Sequence, residues 1–462
     1  MEKLIGQQDL VLYLTEKFDY LVEGVAGSGK TLIAIYKAIL MSIQHPNYKI
    51  VFLTFNNAIA NDNRNKINKI VSYLKSTPIF KDKLKINTLS NLEINTVYKY
   101  FKKCVNDLGG YLNPITALSI TEEKNIIQEV KNNFSTLHSN LTLPQRSIEF
   151  FKDEINWLEN TICTKEDYFN HIRKGRKGTH LKYNDRPAVY QLYQDYLNYL
   201  KKIKQKYFDI EGIYQYLYLQ LCENEIYKEN LKKFKKIDYL IIDEYQDFSI
   251  AMLKSLQLLM NNEERSHFLL VGDHSQNIFN SVVEPKKIFK NLKIIKLSTI
   301  YRNSSEIAKL ANAIFNNKNF TVDNDKDSDF NIKPNFQVSR SIHKPYIAIA
   351  NNIEMINKIE NNFKNKYKDT QIILLNKKDN IQNNEKTINQ VKGLEYNNVI
   401  IPDVDKLPTD KDKDKNEIIS EHLHKLYTAV TRAKKNLLLI INSKNKNYIN
   451  TNLVTFFKEG NN

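Results

Sequence analysis

Residues Gly24-Val25-Ala26-Gly27-Ser28-Gly29-Lys30-Thr31 match G-x-x-x-x-G-K-[ST] without departure. Tyr20 to Glu23 before them reads as a strand end. Thr31 to Ile43 after them has apolar residues at helical spacing and no Gly or Pro. A strand, a glycine turn and a helix start gather free backbone N–H groups at a helix N-terminus, which attracts phosphate. Gly24, Gly27 and Gly29 let the main chain approach that phosphate with no Cβ in the way, and Ser28 completes the loop. Lys30 would reach the β- and γ-phosphates of a nucleoside triphosphate, and the Thr31 hydroxyl would bind Mg²⁺. The plainer reading, a flexible turn before an ordinary helix, leaves unexplained why three of the chain's 12 glycines fall in one octet.

What the energy is for depends on the rest of the 462 residues, enough for two to four domains. No apolar run nears the ~20 residues of a membrane helix, and the first residues lack a signal-peptide layout, so a cytoplasmic protein without a membrane partner is expected. Cys104, Cys163 and Cys222 are far apart and read as reduced core thiols. His422 and His424 have strand-like spacing and no further ligand nearby, which argues against a metal site there. Lys plus Arg is 68 against 52 Asp plus Glu, a net charge of +16 that suits a polyanionic partner. Many lysines sit beside Asn in polar runs, so a generally Lys-rich composition is the competing explanation.

Along the chain, Gln8 precedes a short helix ending near Leu14, and its amide can read the adenine edge. Lys49 to Phe55 is a buried-type strand ending at Asn56, and Asn95-Thr96-Val97-Tyr98 follows a second polar stretch. Both are candidate loops at C-terminal strand ends, where open α/β sheets bind ligands. Phe55 and Tyr98 read equally well as core or rim aromatics. Residues 99–236 have helical spacing and few glycines, as an inserted helical domain would. Within them, Arg173 to Lys182 is a glycine-bearing basic loop whose Arg176 and Lys177 suit phosphate contact or plain solvation. Asp238 to Glu244 is an apolar strand ending in two carboxylates, Asp243 for Mg²⁺ and Glu244 to deprotonate or orient the attacking water. Phe268 to Val271 is another strand running into Gln276, which can sense a γ-phosphate. Further strands are expected at Lys293–Leu297, Ile372–Leu375, Val399–Ile401 and Leu437–Ile441, and a helix at Ser420–Lys434. The Lys/Asp alternation from Asp405 to Glu417 reads as a solvated loop.

Taken together, these stretches resemble superfamily 1 helicases of the UvrD/Rep type. The resemblance rests on Gln8, the phosphate loop, Leu53 to Asn57, Asn95 to Tyr98, Asp243-Glu244-Tyr245-Gln246-Asp247, Gly272 to Phe279, Tyr301-Arg302, Val391 to Tyr396 and Leu426 to Ala433, in the family's order. It implies an α/β fold of two RecA-like P-loop domains with parallel sheets and ATP between them. Residues 1–98 and 237–290 form the first, 99–236 the helical insertion and 291–462 the second. By the same resemblance, Arg302 and Arg432 are offered to the γ-phosphate, Tyr301 stacks on adenine and Glu395 touches the ribose. Single-stranded nucleic acid would run over Phe55, Asn56, Thr96, Tyr98 and Phe279, with Arg176 and Lys177 on the insertion. Three positions depart from the pattern. Asn280-Ser281-Val282-Val283 replaces the usual W-R-G-A-like run, and Ile300 and Asn389 stand where Asn and His are usual. The accessory domain that larger members insert before Lys392-Gly393-Leu394-Glu395 is missing.

The expected function is an ATP-dependent translocase or helicase on single-stranded DNA (RNA possible), moving 3′ to 5′ by resemblance and working with a protein partner. The alternative is an ATPase subunit that senses nucleic acid or nucleotide and regulates a partner nuclease in a defence or repair assembly. A P-loop kinase leaves Lys392 to Glu395 and Thr431-Arg432-Ala433 unexplained.

Overall fold

The computed structural model describes residues 8–9, 14, 18–77, 89–110, 118–137, 143–170, 173, 179, 181–202, 208–262, 266–276, 285–289, 291–301, 303–317, 344–376, 384–442 and 453–457. Its first sheet contains β1 (Asp19–Gly24), β2 (Ile50–Thr54), β3 (Leu92–Thr96), β4 (Tyr239–Asp243), β5 (His267–Gly272) and β6 (Leu292–Leu297). They are ordered β3-β2-β4-β5-β1-β6 and every pairing is parallel. The sequences Ile-Val-Phe-Leu-Thr of β2 and Tyr-Leu-Ile-Ile-Asp of β4 are buried at every position, as strands covered on both faces must be. One face carries Val22, Phe52, Ile241 and Leu269 against the helix Lys30–Gln44. The other carries Leu21, Val51, Leu53, Leu240 and Ile242 against helices Val97–Gly109, Ile213–Glu223 and Ile250–Leu259.

Two expected domain boundaries move. β6 pairs with β1 from Asp19↔Leu292 to Gly24↔Leu297, so the first domain extends past residue 290. The reason is that a parallel strand beside β1 covers an otherwise open edge next to the phosphate loop. Helices Val97–Gly109, Ile213–Glu223 and Glu225–Lys233 also share the first sheet's core. The part of 99–236 with a core of its own is narrower, from Leu118 to Leu200, built on Phe134, Phe151, Leu158, Tyr168 and Tyr196.

The second sheet is ordered β12-β7-β11-β10-β8-β9, again parallel throughout. Its strands are β7 (Tyr346–Ile349), β8 (Thr370–Leu374), β9 (Glu385–Thr387), β10 (Tyr396–Ile401), β11 (Ala433–Ile441) and β12 (Thr455–Phe456). Helix Ser305–Phe315 packs on helix Lys415–Val430 through Ile307, Leu310, Ile314, Leu426 and Tyr427. The two parallel-sheet RecA-like domains and helical insertion expected from sequence are therefore present.

Three local readings are corrected. The Asp405–Glu417 stretch is an exposed or half-buried loop as far as Lys411, but not beyond it. Asp412 is buried and accepts from Arg146 Nη1 at 2.8 Å and Ser147 Oγ at 2.7 Å, both on the insertion. Thr179 and Lys413 form an antiparallel bridge, and Thr179 Oγ1 donates to Glu417 at 3.3 Å. These contacts clasp the insertion to the second domain, an arrangement that charge alternation alone cannot reveal. His422 and His424 lie on the helix Lys415–Val430 rather than a strand, bonded to the carbonyls of Val404 and Ser275 respectively. Finally, of the three free cysteines only Cys104 is buried, and Cys222 is exposed. Among the described residues no helix is long and apolar enough to cross a membrane.

Candidate functional site: a cleft between two sheets

β1 ends at Gly24, and the next helix begins at Lys30 with Gly29 as its cap. Gly27 and Gly29 have φ of +78° and +88°, backbone that only glycine adopts freely. Space is as tight as conformation, because a Cβ on Gly29 would lie 2.0 Å from Gln8 Nε2. No side chain caps the helix, so its first N–H groups face the cleft. Ser28 Oγ is fully buried and has no hydrogen-bond partner among the described residues. An uncapped helix start beside an orphaned hydroxyl fits a phosphate group. Lys30 Nζ rests on its own loop, donating to the carbonyls of Gly24 at 2.8 Å and Val25 at 3.0 Å.

β4 delivers the carboxylates. Thr31 Oγ1 donates to Asp243 Oδ1 at 3.2 Å, bringing the two expected Mg²⁺ ligands together. Burial, then the neighbouring Glu244, push the Asp243 carboxyl up to about 7. Burial works on Glu244 too, but Lys30, Arg432, Gln246 and Lys392 outweigh it and hold that carboxyl below its usual range. The pair is thereby split, with Glu244 kept ionised as a general base requires. Glu244 has φ of +59°, a turn that swings it out of line with β4.

β5 delivers Gln276, whose Nε2 donates to Asp273 Oδ2 at 2.8 Å. Its Oε1 accepts from Arg432 Nη2 at 2.6 Å. Arg432 follows the helix Lys415–Val430 of the second domain, so a second-domain guanidinium reaches the first domain's sensor position. The cleft is lined by Gly27, Gly29, Lys30, Thr31, Glu244, Gln276 and Arg432, together with Lys66, Gly393 and Glu395, around about 420 Å³ open to solvent.

The remaining expected contacts divide. Glu395 lines the cleft and pairs with Lys434 at 3.3 Å. Gln8 is buried against the phosphate loop, with its amide donating to Ser28 O at 3.0 Å. Tyr301 anchors Gly27 O through its backbone N–H at 3.0 Å, and its side chain is not among the lining residues. Asn56 and Thr96 serve as N-caps, accepting from Ile59 N at 2.9 Å and Lys99 N at 3.3 Å. Phe55 and Tyr98 are half-buried against the first sheet's core. Arg173 of the basic stretch is buried in an ion pair with Glu154. Arg176, Lys177, Phe279 and Arg302 lie outside the described residues.

Sequence reasoning assigned no role to four residues of the site. Asn63 and Lys66 lie one helical turn apart, Asn63 donating to Asp243 Oδ2 at 3.5 Å and Lys66 lining the cleft. Their i, i+3 spacing after the β2 loop was the available signal. Lys392 forms a fully buried ion pair with Asp247 across the domain interface. Asn303 donates to the carbonyls of Thr431 at 2.9 Å and Ala433 at 2.8 Å.

A phosphate loop, a Thr–Asp pair, an ionised Glu and an arginine from a second parallel sheet define a two-domain P-loop nucleotide-binding protein. The chain belongs to the UvrD/REP helicase family. It matches the UvrD/REP helicase N-terminal domain over residues 6–281 and the UvrD-like helicase C-terminal domain over 384–444. Among curated relatives it is 29% identical over 312 residues to the ATP-dependent DNA helicase Rep of Buchnera aphidicola subsp. Acyrthosiphon pisum, covering 63% of this chain and 42% of that protein. It is 24% identical over 322 residues to Rep of Escherichia coli, covering 68% and 43%. Over 313 residues it is 22% identical to the helicase PcrA of Leuconostoc citreum, covering 65% and 38%. The chain thus spans about two-fifths of the length of these relatives.

Proposed function

We propose that this chain hydrolyses ATP between its two sheets and uses the cycle to move along single-stranded DNA, in the 3′ to 5′ direction of the family it belongs to. The observation that carries this is the bond from Arg432 to Gln276. A guanidinium supplied by one domain to the sensor of the other makes hydrolysis depend on how the cleft is closed. Thr31 and Asp243 would hold Mg²⁺, which neutralises charge on the phosphates. Lys30 leaves its loop carbonyls to bind the phosphates, and Glu244 accepts the proton of the attacking water. Gln276 and Arg432 report and stabilise charge at the γ-position, with Arg302 as their expected companion. Gln8 and Tyr301 are assigned to the adenine and Glu395 to the ribose.

Phe55, Asn56, Thr96 and Tyr98 sit at the C-terminal ends of β2 and β3, on one rim of the first sheet. With Phe279, Arg176 and Lys177 they are the proposed track. Two of these side chains are engaged as helix caps and two pack into the core, which supports a weak grip that a partner protein reinforces. That partner would be a nuclease or another subunit of a defence or repair assembly. The test is the ATPase rate of the purified chain with and without single-stranded DNA across a salt series, followed by strand displacement on a 3′-tailed duplex. Stimulation by single strands that fades steeply with salt is expected, with poor unwinding by the chain alone. A rate indifferent to nucleic acid at every salt concentration refutes the track. Efficient unwinding alone refutes the need for a partner.

A further inference from the structure

Glu23 stands immediately before the phosphate loop and is not one of the residues that line the cleft. It is 2% exposed at the rim of β1, between Gly272 of β5 and Lys296 of β6. A carboxyl there is costly unless its oxygens are bonded. Both are: Tyr245 Oη donates to Oε2 at 2.5 Å, and the backbone N–H of His274 donates to Oε1 at 2.7 Å. Tyr245 directly follows Glu244, and His274 lies two residues before Gln276. One side chain therefore touches the turn that carries the base and the turn that carries the sensor, from the strand that carries the phosphate loop.

The surroundings are shaped for this junction. A Cβ on Gly272 would lie 2.5 Å from Tyr245 Cδ1 and 2.3 Å from Gln246 Oε1, so β5 must have glycine where the Tyr245 ring crosses it. The turn also has to be held. The left-handed backbone of Glu244 is one that L-residues with a Cβ adopt only at a cost. Its followers are tied down on both sides: Gln246 Nε2 donates to Glu244 Oε2 at 2.7 Å, and the Asp273 N–H donates to Gln246 Oε1 at 3.1 Å.

We propose that Glu23 is a positioning residue for hydrolysis: through Tyr245 and His274 it fixes Glu244 and Gln276 relative to the phosphate loop. This rests on the ATPase reading above. Burial pushes the Glu23 carboxyl up to about 8, aided by Asp273 and opposed by Tyr245, the His274 backbone and Lys30. At neutral pH it is therefore a neutral hydrogen-bonding group; glutamine keeps its shape and the acceptor for His274, and its amide meets Tyr245 as a donor to Oη.

The test is steady-state ATP hydrolysis by the full chain, comparing wild type with Glu23→Ala, Glu23→Gln and Tyr245→Phe, with Glu244→Gln as the inactive reference. Misplacing a reacting group by an ångström costs up to ~10²-fold. Glu23→Ala should lower kcat by about that factor and leave KM for ATP within about threefold. Tyr245→Phe should move kcat the same way by a smaller factor, and Glu23→Gln should stay within about threefold of wild type. The proposal is overturned if Glu23→Ala keeps wild-type kcat, or if Glu23→Gln is as slow as Glu23→Ala. It is also overturned if kcat, nucleotide affinity and melting temperature all fall together, the mark of a purely structural role. In these cases a wild type that turns over ATP leaves the ATPase reading standing. A wild type that hydrolyses no ATP, with or without single-stranded DNA, removes that reading and this proposal with it.

Discussion

Arg432 offers the sharpest test of the two-domain cleft, because three of its bonds stay within the second domain and one crosses. Nε donates to Thr428 O at 3.1 Å, Nη1 to Leu394 O at 3.4 Å and Nη2 to Thr431 Oγ1 at 3.1 Å, all on its own side. The bond to Gln276 Oε1 at 2.6 Å is the crossing one. Burial works against its charge, while Glu244 and Asp273 support it. None of these bonds is to the phosphate loop, so Arg432→Ala should weaken nucleotide binding by no more than about tenfold. Loss of an arginine that faces transition-state charge costs ~10³ or more in turnover, which is ~4 kcal/mol on the barrier. Arg432→Lys should recover little, since a point charge cannot reproduce the fork. The assay pairs kcat and KM for ATP with titration of a fluorescent nucleotide and a melting curve. Turnover that stays at the wild-type value refutes the cleft. A loss of turnover matched by a lower melting temperature shows that Arg432 only props the second domain.

Lys30→Ala should abolish turnover and weaken ATP binding, whereas Glu244→Gln should bind ATP normally and fail to hydrolyse it; single-turnover measurements separate the two. The clasp predicts charge-swap behaviour. Arg146→Glu or Asp412→Arg alone should loosen the insertion by ~1 kcal/mol, the double variant should restore it, and the rate of disulfide formation in a Thr179→Cys/Lys413→Cys protein reports the difference. Glu211 tests the group of acids it forms with Asp209 and Glu123. Burial, then Asp209 and Glu123, push its carboxyl up to about 7, with Lys152 opposing. Folding therefore takes up a proton between the ordinary carboxylate range and pH 7, and stability falls as pH rises through that window. Glu211→Gln should raise the melting temperature at pH 8 and leave it unchanged at pH 4, and equal effects at both pH values contradict the assignment.

What the sequence shows of this fold is what parallel strands and phosphate loops write locally. β2 and β4 are legible because strands covered on both faces must be continuous apolar runs. The phosphate loop is legible because Gly27 and Gly29 have no substitutes at their backbone angles. Asp243 and Glu244 are legible because they end such a run. By contrast, β7 and β9 are short, and β6 is only partly buried, so its membership of the first sheet shows only in three dimensions. The function of Asp412 was hidden for a related reason. Its partner Arg146 is 266 residues away, and no local pattern separates an aspartate in a clasp from one in a polar loop. Thr96 and Asn56 show the opposite ambiguity: each fits a ligand-facing strand end, and each also satisfies a helix N-terminus, because the same side-chain oxygen suits both tasks.

Two of the residues to which sequence reasoning gave no role, Lys392 and Asn303, join the two sheets. Lys392 pairs with Asp247, three residues beyond Glu244. The backbone carbonyl of Lys392 accepts from Asn56 Nδ2 at 3.4 Å, at the end of β2. Asn303 holds the carbonyls on either side of Arg432, and a Cβ on Gly27 would collide with Asn303 Oδ1 at 2.3 Å. The second domain thus meets the first at the strand end proposed as track, at the turn bearing Glu244 and at the phosphate loop. Buried ion pairs such as Lys392–Asp247 add little to stability, because desolvation offsets their attraction, but breaking one is expensive. A contact of that kind suits an interface with two discrete settings better than one that slides. A rotation of the second sheet that moves Arg432 away from Gln276 must also disturb Lys392 on Asp247 and its backbone on Asn56. The Arg432–Gln276 contact and the strand-end rim are therefore mechanically one unit, held together by side chains from three separate segments.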